Sequence, residues 1–352
     1  MARETGETEQ TGQAGRAVQT GRTAGRVGLR ALADLATPMA VRVAATLRVA
    51  DHIAAGRDTA EEVAAATGTH TDALDRLLRH LVTVALLTRD PVGRYALTAF
   101  GEQLREDHPA GRRKWLDTGG AVGKGDLSFV ELAHSVRTGE PAYPVRYGVP
   151  FWDDLAADPP LSASFDALMN HHIDLDDGGV PRAYDWAALG HVVDVGGGSG
   201  GLLGALLTAH GSLRGTVVDL AGPAASARRN FERLGLAART EVVTGSFFDP
   251  LPAGAGGYVL SAILHDWSDG PAVALLRRCA EAAGERGVVL VIEAVGADGE
   301  SPSTAMDLRM LTYCGGRERG LAELGALAGA AGLAVRAVHP VGYLSILELA
   351  AG

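Results

Sequence analysis

The sequence predicts an α/β chain in two parts. A mostly helical N-terminal part contains a winged helix, and a C-terminal doubly wound parallel sheet is closed by an antiparallel hairpin. Three observations predict this. Apolar residues from Leu29 through Leu32, Leu35, Val41, Ala44, Leu47 and Ile53 recur mostly at three- to four-residue steps, the period of amphipathic helices. From His191 onward, short Val/Leu/Ile runs alternate with helical stretches, which marks βαβ units and a sheet covered on both faces. The final runs, AVRAVHP and YLSILELA, are joined by too few residues for a crossover, so they must pair antiparallel.

Residues 1–26 are polar and aperiodic, the profile of a disordered tail. A first domain is expected over 27–108. Thr59 caps the helix AEEVAAATG, Glu62 completes a capping box and Gly68 ends it. Thr71 is expected to cap a second helix, DALDRLLRHLVTVALL, that buries Leu74, Leu77, Leu78, Leu81 and Ala85. The turn DPVG then separates the strand-like pieces LLTR and RYALT, completing a winged helix. Such a module can read DNA, but Arg76, Arg79 and His80 are interleaved with acids, and the 352-residue chain carries a net charge of −10. A structural or dimerising role is therefore expected, with no nucleic-acid partner.

Residues 109–185 read as a helical linker and lid, with loops at DHPAGRR and TGEPAYPVRYGVP. Residues 186–352 hold the alternating strands and helices. Two cysteines, Cys279 and Cys314, make neither a disulfide framework nor a four-cysteine zinc site. With no apolar leader and no run long enough to span a bilayer, a cytoplasmic chain without membrane contact is expected.

The segment HVVDVGGGSGG leaves the first C-terminal strand and opens a helix. Gly196, Gly198 and Gly201 satisfy G-x-G-x-x-G, with Asp219 at the end of the next strand, formally a dinucleotide fingerprint. In a chain with 47 glycines a plain turn explains the same residues, and an NAD(P)-dependent oxidoreductase remains an alternative. Asp194 tilts the choice. It stands inside an apolar strand, where a carboxylate needs a partner, and pyrophosphate binding does not require it. A cationic cofactor does, and Asp219 suits ribose hydroxyls, which together suggest S-adenosylmethionine.

With DVGGGSG, the VVDL strand end, GSFFDPLP, LHDWSD and GGRERG in order, the chain resembles the plant caffeate-type and bacterial aromatic-polyketide (anthracycline-type) O-methyltransferases from about Leu29 to Leu349. The resemblance implies an N-terminal winged-helix dimerisation domain, a homodimer, and a Rossmann-like class I methyltransferase domain. It implies a phenolic hydroxyl of an aromatic, polyketide-type substrate as methyl acceptor, with S-adenosylhomocysteine as the second product. Asp194, Gly196, Gly198, Asp219, Leu220, Ser246, Phe247 and Ser261 fall on cofactor positions. Ser246 stands where the family carries an acid toward adenine; Asp249 is the nearby compensating candidate. Val149 stands where some members carry an Arg.

His265, in LHDWSD at a strand's carboxyl end, matches the family's catalytic base. A phenol's pKa is about 10, so a base is needed, and an imidazole titrating near neutrality is expected to contribute roughly 10²–10⁴-fold. Glu293 and Glu318 match the flanking glutamates, although Glu318 between two arginines also fits a surface ion pair. Asp266 can assist. Trp152, Met169, Asn170, His171, Asp307, Met310 and Tyr313 are substrate-pocket candidates by position. His171-His172 has no third ligand at metal spacing, so no metal is expected. A winged-helix regulator, or the same fold used for hydroxylation or decarboxylation, completes the alternatives.

Overall fold

The structure, a computed structural model, describes residues 28–174, 179–296 and 298–352. The N-terminal domain begins with the helices Leu29–Leu32, Ala36–Thr46 and Val49–Ala54. The helix Ala60–Thr67 follows behind the expected capping box: Thr59 accepts from the Glu62 N–H, Glu62 accepts from the Thr59 N–H, and Gly68 ends it with φ +67°.

The next helix, Thr71–Thr83, corrects one expectation. Its cap is His70, whose Nδ1 accepts from the Ala73 N–H, and Thr71 is already helical. Leu74, Leu78 and Leu81 are buried as expected, but Ala85 is exposed. The helix has stopped by then, and Ala85 turns the chain at φ +57° into β1 (Leu87–Arg89). β2 (Tyr95–Leu97) pairs with it antiparallel to make the wing. On the second helix Arg76 pairs with Asp72 and Arg79 with Asp75, each at 2.9 Å. Its two arginines are thus matched within their own helix.

Several short helices and the longer Pro159–Asp174 bridge to the second domain, and Trp186 enters its core fully buried. The sheet comprises β3 (His191–Val195), β4 (Arg214–Asp219), β5 (Thr240–Thr244), β6 (Gly257–Ser261), β7 (Val288–Glu293), β8 (Leu333–Val341) and β9 (Leu344–Ala351), ordered β5-β4-β3-β6-β7-β9-β8. β3 to β7 run parallel, while β9 is antiparallel to both β7 and β8, so the hairpin closes the sheet as expected.

Alternate residues of each central strand feed two cores. Val193, Val195, Leu260 and Val291 face the helices Asp269–Ala283 and Leu321–Ala330, whereas Val192, Val217, Val259 and Ile292 face the helix Gly201–Ala209. Strand order reverses between β3 and β4 on one side and β6 on the other. The crevice outside their carboxyl ends is where such sheets bind ligands. The expected site residues from β3, β4 and β6 converge there. Among the described residues, no helix is long and apolar enough to cross a membrane.

Candidate active site

The loop after β3 is shaped by one buried acid. Asp194 is 2% exposed. The Leu203 N–H supports its carboxylate, while Oδ2 meets no hydrogen-bond partner among the described residues. Burial, helped by the charge of Asp219, pushes it up to about 7. A Cβ on Gly197 would lie 2.5 Å from that oxygen, so only glycine lets the loop cross over Asp194. Asp219, at the end of β4, draws the loop in: its Oδ2 accepts from the Gly198 N–H at 2.8 Å and its Oδ1 from the Leu220 N–H at 2.6 Å.

Gly196 packs beneath Phe247, and Phe247 stands edge-on to Trp267. The Ser246 hydroxyl accepts from the Phe248 N–H at 3.2 Å, which leaves its own proton available to an acceptor. Asp249 is exposed on the following turn. Ser261 ends β6 beside this loop, and Val149 precedes the helix Phe151–Ala157. Asp166, on the helix Pro159–Asp174, was missed in the sequence. Burial, with Asp219 nearby, pushes it up to about 6, and no motif marks it.

At the other end of the crevice, β6 ends in a strained turn, with Ala262 at φ +51°. This turn points the Leu264 and His265 N–H groups at Glu293 Oε1, at 2.9 and 3.3 Å. His265 Nδ1 meets Glu318 Oε1 at 2.7 Å, Glu293 Oε2 lies 3.8 Å from the same nitrogen, and Asp266 Oδ1 is 3.6 Å from Nε2. Glu318 is 7% exposed and bonded to the imidazole, so the surface-pair alternative is overturned.

The expected near-neutral imidazole is corrected too. Burial pulls His265 down, but Glu293, Asp266 and Glu318 outweigh it and raise the group to about 10. Burial raises Glu293 and Asp266, the latter to about 7.

Two further residues of the GGRERG motif hold this arrangement. Arg319, 4% exposed, donates to Leu264 O at 2.9 Å, Trp267 O at 2.7 Å and Asp269 Oδ1 at 2.8 Å. A Cβ on Gly316 would lie 2.1 Å from His265 O, which is why the GGRERG loop can pass so close.

The substrate candidates separate. Trp152 and Tyr313 line a cavity of about 240 Å³ with Phe151, Trp267 and Cys314. The buried Trp152 Nε1–H has no partner among the described residues. Asp307 Oδ1 accepts from the Glu318 N–H at 2.9 Å, and Met310 is buried with its carbonyl on the Gly316 N–H, so both support the GGRERG loop. Met169 is half-buried on the helix Pro159–Asp174; the side chains of Asn170, His171 and His172 lie outside the described residues. Among the described residues, no group of three or more His, Cys, Asp and Glu could hold a metal ion.

A parallel sheet with acids at its switch point, beside a buried histidine held by carboxylates, defines a group-transfer enzyme with a cation-friendly pocket. The comparisons name the family. Residues 129–334 match the O-methyltransferase domain and residues 29–107 the O-methyltransferase dimerisation domain. The chain belongs to this O-methyltransferase family. It is 72% identical over 331 residues to 2,7-dihydroxy-5-methyl-1-naphthoate 7-O-methyltransferase of Streptomyces carzinostaticus, covering 94% of this chain and 99% of that one. It is 48% identical to aclacinomycin 10-hydroxylase of Streptomyces purpurascens, covering 92% and 90%. A crystal structure of the neocarzinostatin-biosynthesis O-methyltransferase, in complex with S-adenosylmethionine and 2-hydroxy-5-methyl naphthoic acid, superposes with a TM-score of 0.90 at 72% identity, covering 94% of this chain and 100% of that one.

Proposed function

We propose that this chain methylates a phenolic hydroxyl of a polycyclic aromatic, polyketide-type acceptor of the hydroxynaphthoate class, with His265 as general base. The observation that carries this reading is the 2.7 Å contact between His265 Nδ1 and Glu318 Oε1. It commits Nδ1 to donating and leaves Nε2 to accept the phenolic proton.

A base raised to about 10 is matched to a phenol of pKa about 10, so the proton moves between them at little free-energy cost. The resulting imidazolium is stabilised by Glu293, Glu318 and Asp266. The cavity lined by Phe151, Trp152, Trp267 and Tyr313 suits a flat apolar ring, and the free Trp152 N–H suits an oxygen on it. S-adenosylmethionine, when bound, supplies the activated methyl group and is left as S-adenosylhomocysteine. The chain fits it: Asp194 Oδ2 is an orphaned buried carboxylate oxygen suited to a cation, Asp219 to ribose, and Ser246 and Phe247 to adenine.

The exposed Leu29, Leu32 and Leu35, continued by Met39 and Val43, form an apolar strip on the dimerisation domain. It suits a second copy, hence a homodimer. Working boundaries at about residues 27, 109 and 186, a cytoplasmic setting and the absence of a nucleic-acid partner belong to the same proposal.

The 48% identity to a hydroxylase keeps a second chemistry in view. Product mass separates the two, since methylation adds one methyl group to the dihydroxynaphthoate and hydroxylation adds one oxygen. His265→Ala is expected to bind S-adenosylhomocysteine normally by calorimetry and to lose about 10²–10⁴-fold in turnover. Near-normal turnover would overturn the base assignment.

A further inference from the structure

A buried ion cluster joins the two domains beside the acceptor cavity, whose wall it shares through Tyr313. Asp126 ends the helix Ala121–Asp126, with its side chain 6% exposed. Arg309, on the helix Thr304–Cys314, grips it as a fork, Nε to Oδ1 at 2.8 Å and Nη2 to Oδ2 at 3.3 Å. Arg42, on the helix Ala36–Thr46 of the dimerisation domain, also donates to Oδ2. Tyr313, one turn beyond Arg309, adds its hydroxyl to Oδ1. Burial pushes the Asp126 carboxyl up, but its bonds to Arg309 and Tyr313 win and hold it below the usual range. The carboxylate is therefore ionised at working pH. Three separate stretches of chain close on one charge.

The helix that carries Arg309 also carries Asp307, two residues earlier. Asp307 Oδ1 accepts from the Glu318 N–H at 2.9 Å, and Met310 O from the Gly316 N–H at 3.1 Å. Glu318 in turn holds His265 Nδ1 at 2.7 Å. Any slide or rotation of this helix that Asp126 prevents would therefore displace the carboxylate that orients the imidazole. Displacements well under an ångström matter at such a bond.

We infer that Asp126 is a positioning residue for the proton transfer: by clamping the helix Thr304–Cys314 to Arg42, it sets the Asp307–Glu318–His265 line. The same helix exposes Met39, one turn before Arg42, and Val43, next to it, both part of the apolar strip assigned above to the second copy. The dimer face and the base are thus linked through Arg42, Asp126 and the helix Thr304–Cys314. This inference rests on the general-base reading of His265.

The test is a double-mutant cycle on the full-length chain, with 2,7-dihydroxy-5-methyl-1-naphthoate as acceptor. Asp126→Asn keeps the shape and removes the charge. It is expected to lower kcat about 10- to 100-fold, with S-adenosylhomocysteine affinity within about 2-fold of wild type. Combined with Glu318→Gln, it should cost less than about 2-fold more than Glu318→Gln alone, because both changes break the same line. It should also move the pH dependence of kcat in the direction that Glu318→Gln does. Arg309→Lys keeps the ion pair and loses the fork; the same non-multiplying pattern is expected there if Asp126→Asn folds poorly. Losses that multiply, with an unmoved pH profile, would overturn this inference and leave the base assignment standing. Wild-type turnover in Glu318→Gln alone would overturn both.

Discussion

Glu318 Oε1 lies 2.7 Å from His265 Nδ1, whereas the closest approach of Glu293 to the same nitrogen is 3.8 Å. The two glutamates therefore divide the work. Glu318 holds the ring, and Glu293 holds the backbone beneath it through the Leu264 and His265 N–H groups.

This division predicts opposite pH signatures for charge and for base. Free His265 at about 10 is mostly protonated near neutrality, so kcat/KM should rise with pH between about 8 and 10. Glu318→Gln removes one of the negative charges that raise the imidazole, so the rise should begin about one pH unit lower while the plateau rate falls. A pH–rate profile of both proteins checks this. An unmoved limb would mean that the titrating group is not His265.

Glu293→Ala should act mainly on stability. It would strand two backbone N–H groups around a buried turn, at a cost of about 2–4 kcal/mol. Glu293→Gln keeps an acceptor oxygen in place and should cost less. Urea unfolding of the two variants gives the comparison, and equal losses would show that the charge, not the acceptor, is what the turn needs.

Asp194 predicts how cofactor binding depends on pH. Its ionised form suits a cation, and the protein raises it to about 7. Below pH 7 a proton competes, so affinity for S-adenosylhomocysteine should weaken by up to about 10-fold per unit. Stability without cofactor runs the other way. The unfolded carboxyl ionises first, so the folded state loses stability as pH rises from about 4 to 7. Asp194→Asn should flatten both trends, weaken binding and raise the Tm of the cofactor-free protein near pH 8. Calorimetric titrations from pH 5.5 to 8 and thermal melts over the same range test it.

The strands and the residues at their ends were legible because a strand buried on both faces writes itself as a continuous apolar run, so acids such as Asp194 and Glu293 stand out against it. His265 was legible from its motif, but not its strength: two of the three charges that raise it come from β7 and the GGRERG loop, 28 and 53 residues away. Asp126 and Arg309 are 183 residues apart, and nothing local in either segment announces the other. The exposed Ala85 reflects a helix end decided by the turn into the wing. Ala262 is invisible to propensity altogether, since a left-handed alanine is tolerated only where the surrounding bonds impose it.

Arg319 carries the last prediction. It is buried, yet Asp269, its ionic partner among the described residues, is 63% exposed, so the pair itself contributes little. The guanidinium matters through the carbonyls of Leu264 and Trp267, which bracket His265. Arg319→Met keeps most of the apolar stem and leaves both carbonyls without that donor. The expected cost is about 2–4 kcal/mol in stability, with turnover falling further than Asp269→Asn lowers it. Lysine cannot reach both oxygens with one ammonium as a planar fork does, so Arg319→Lys should recover only part of the loss. Urea unfolding and kcat for the three variants decide the matter. An Asp269→Asn loss equal to that of Arg319→Met would place the function in the ion pair and remove the role assigned to the carbonyls.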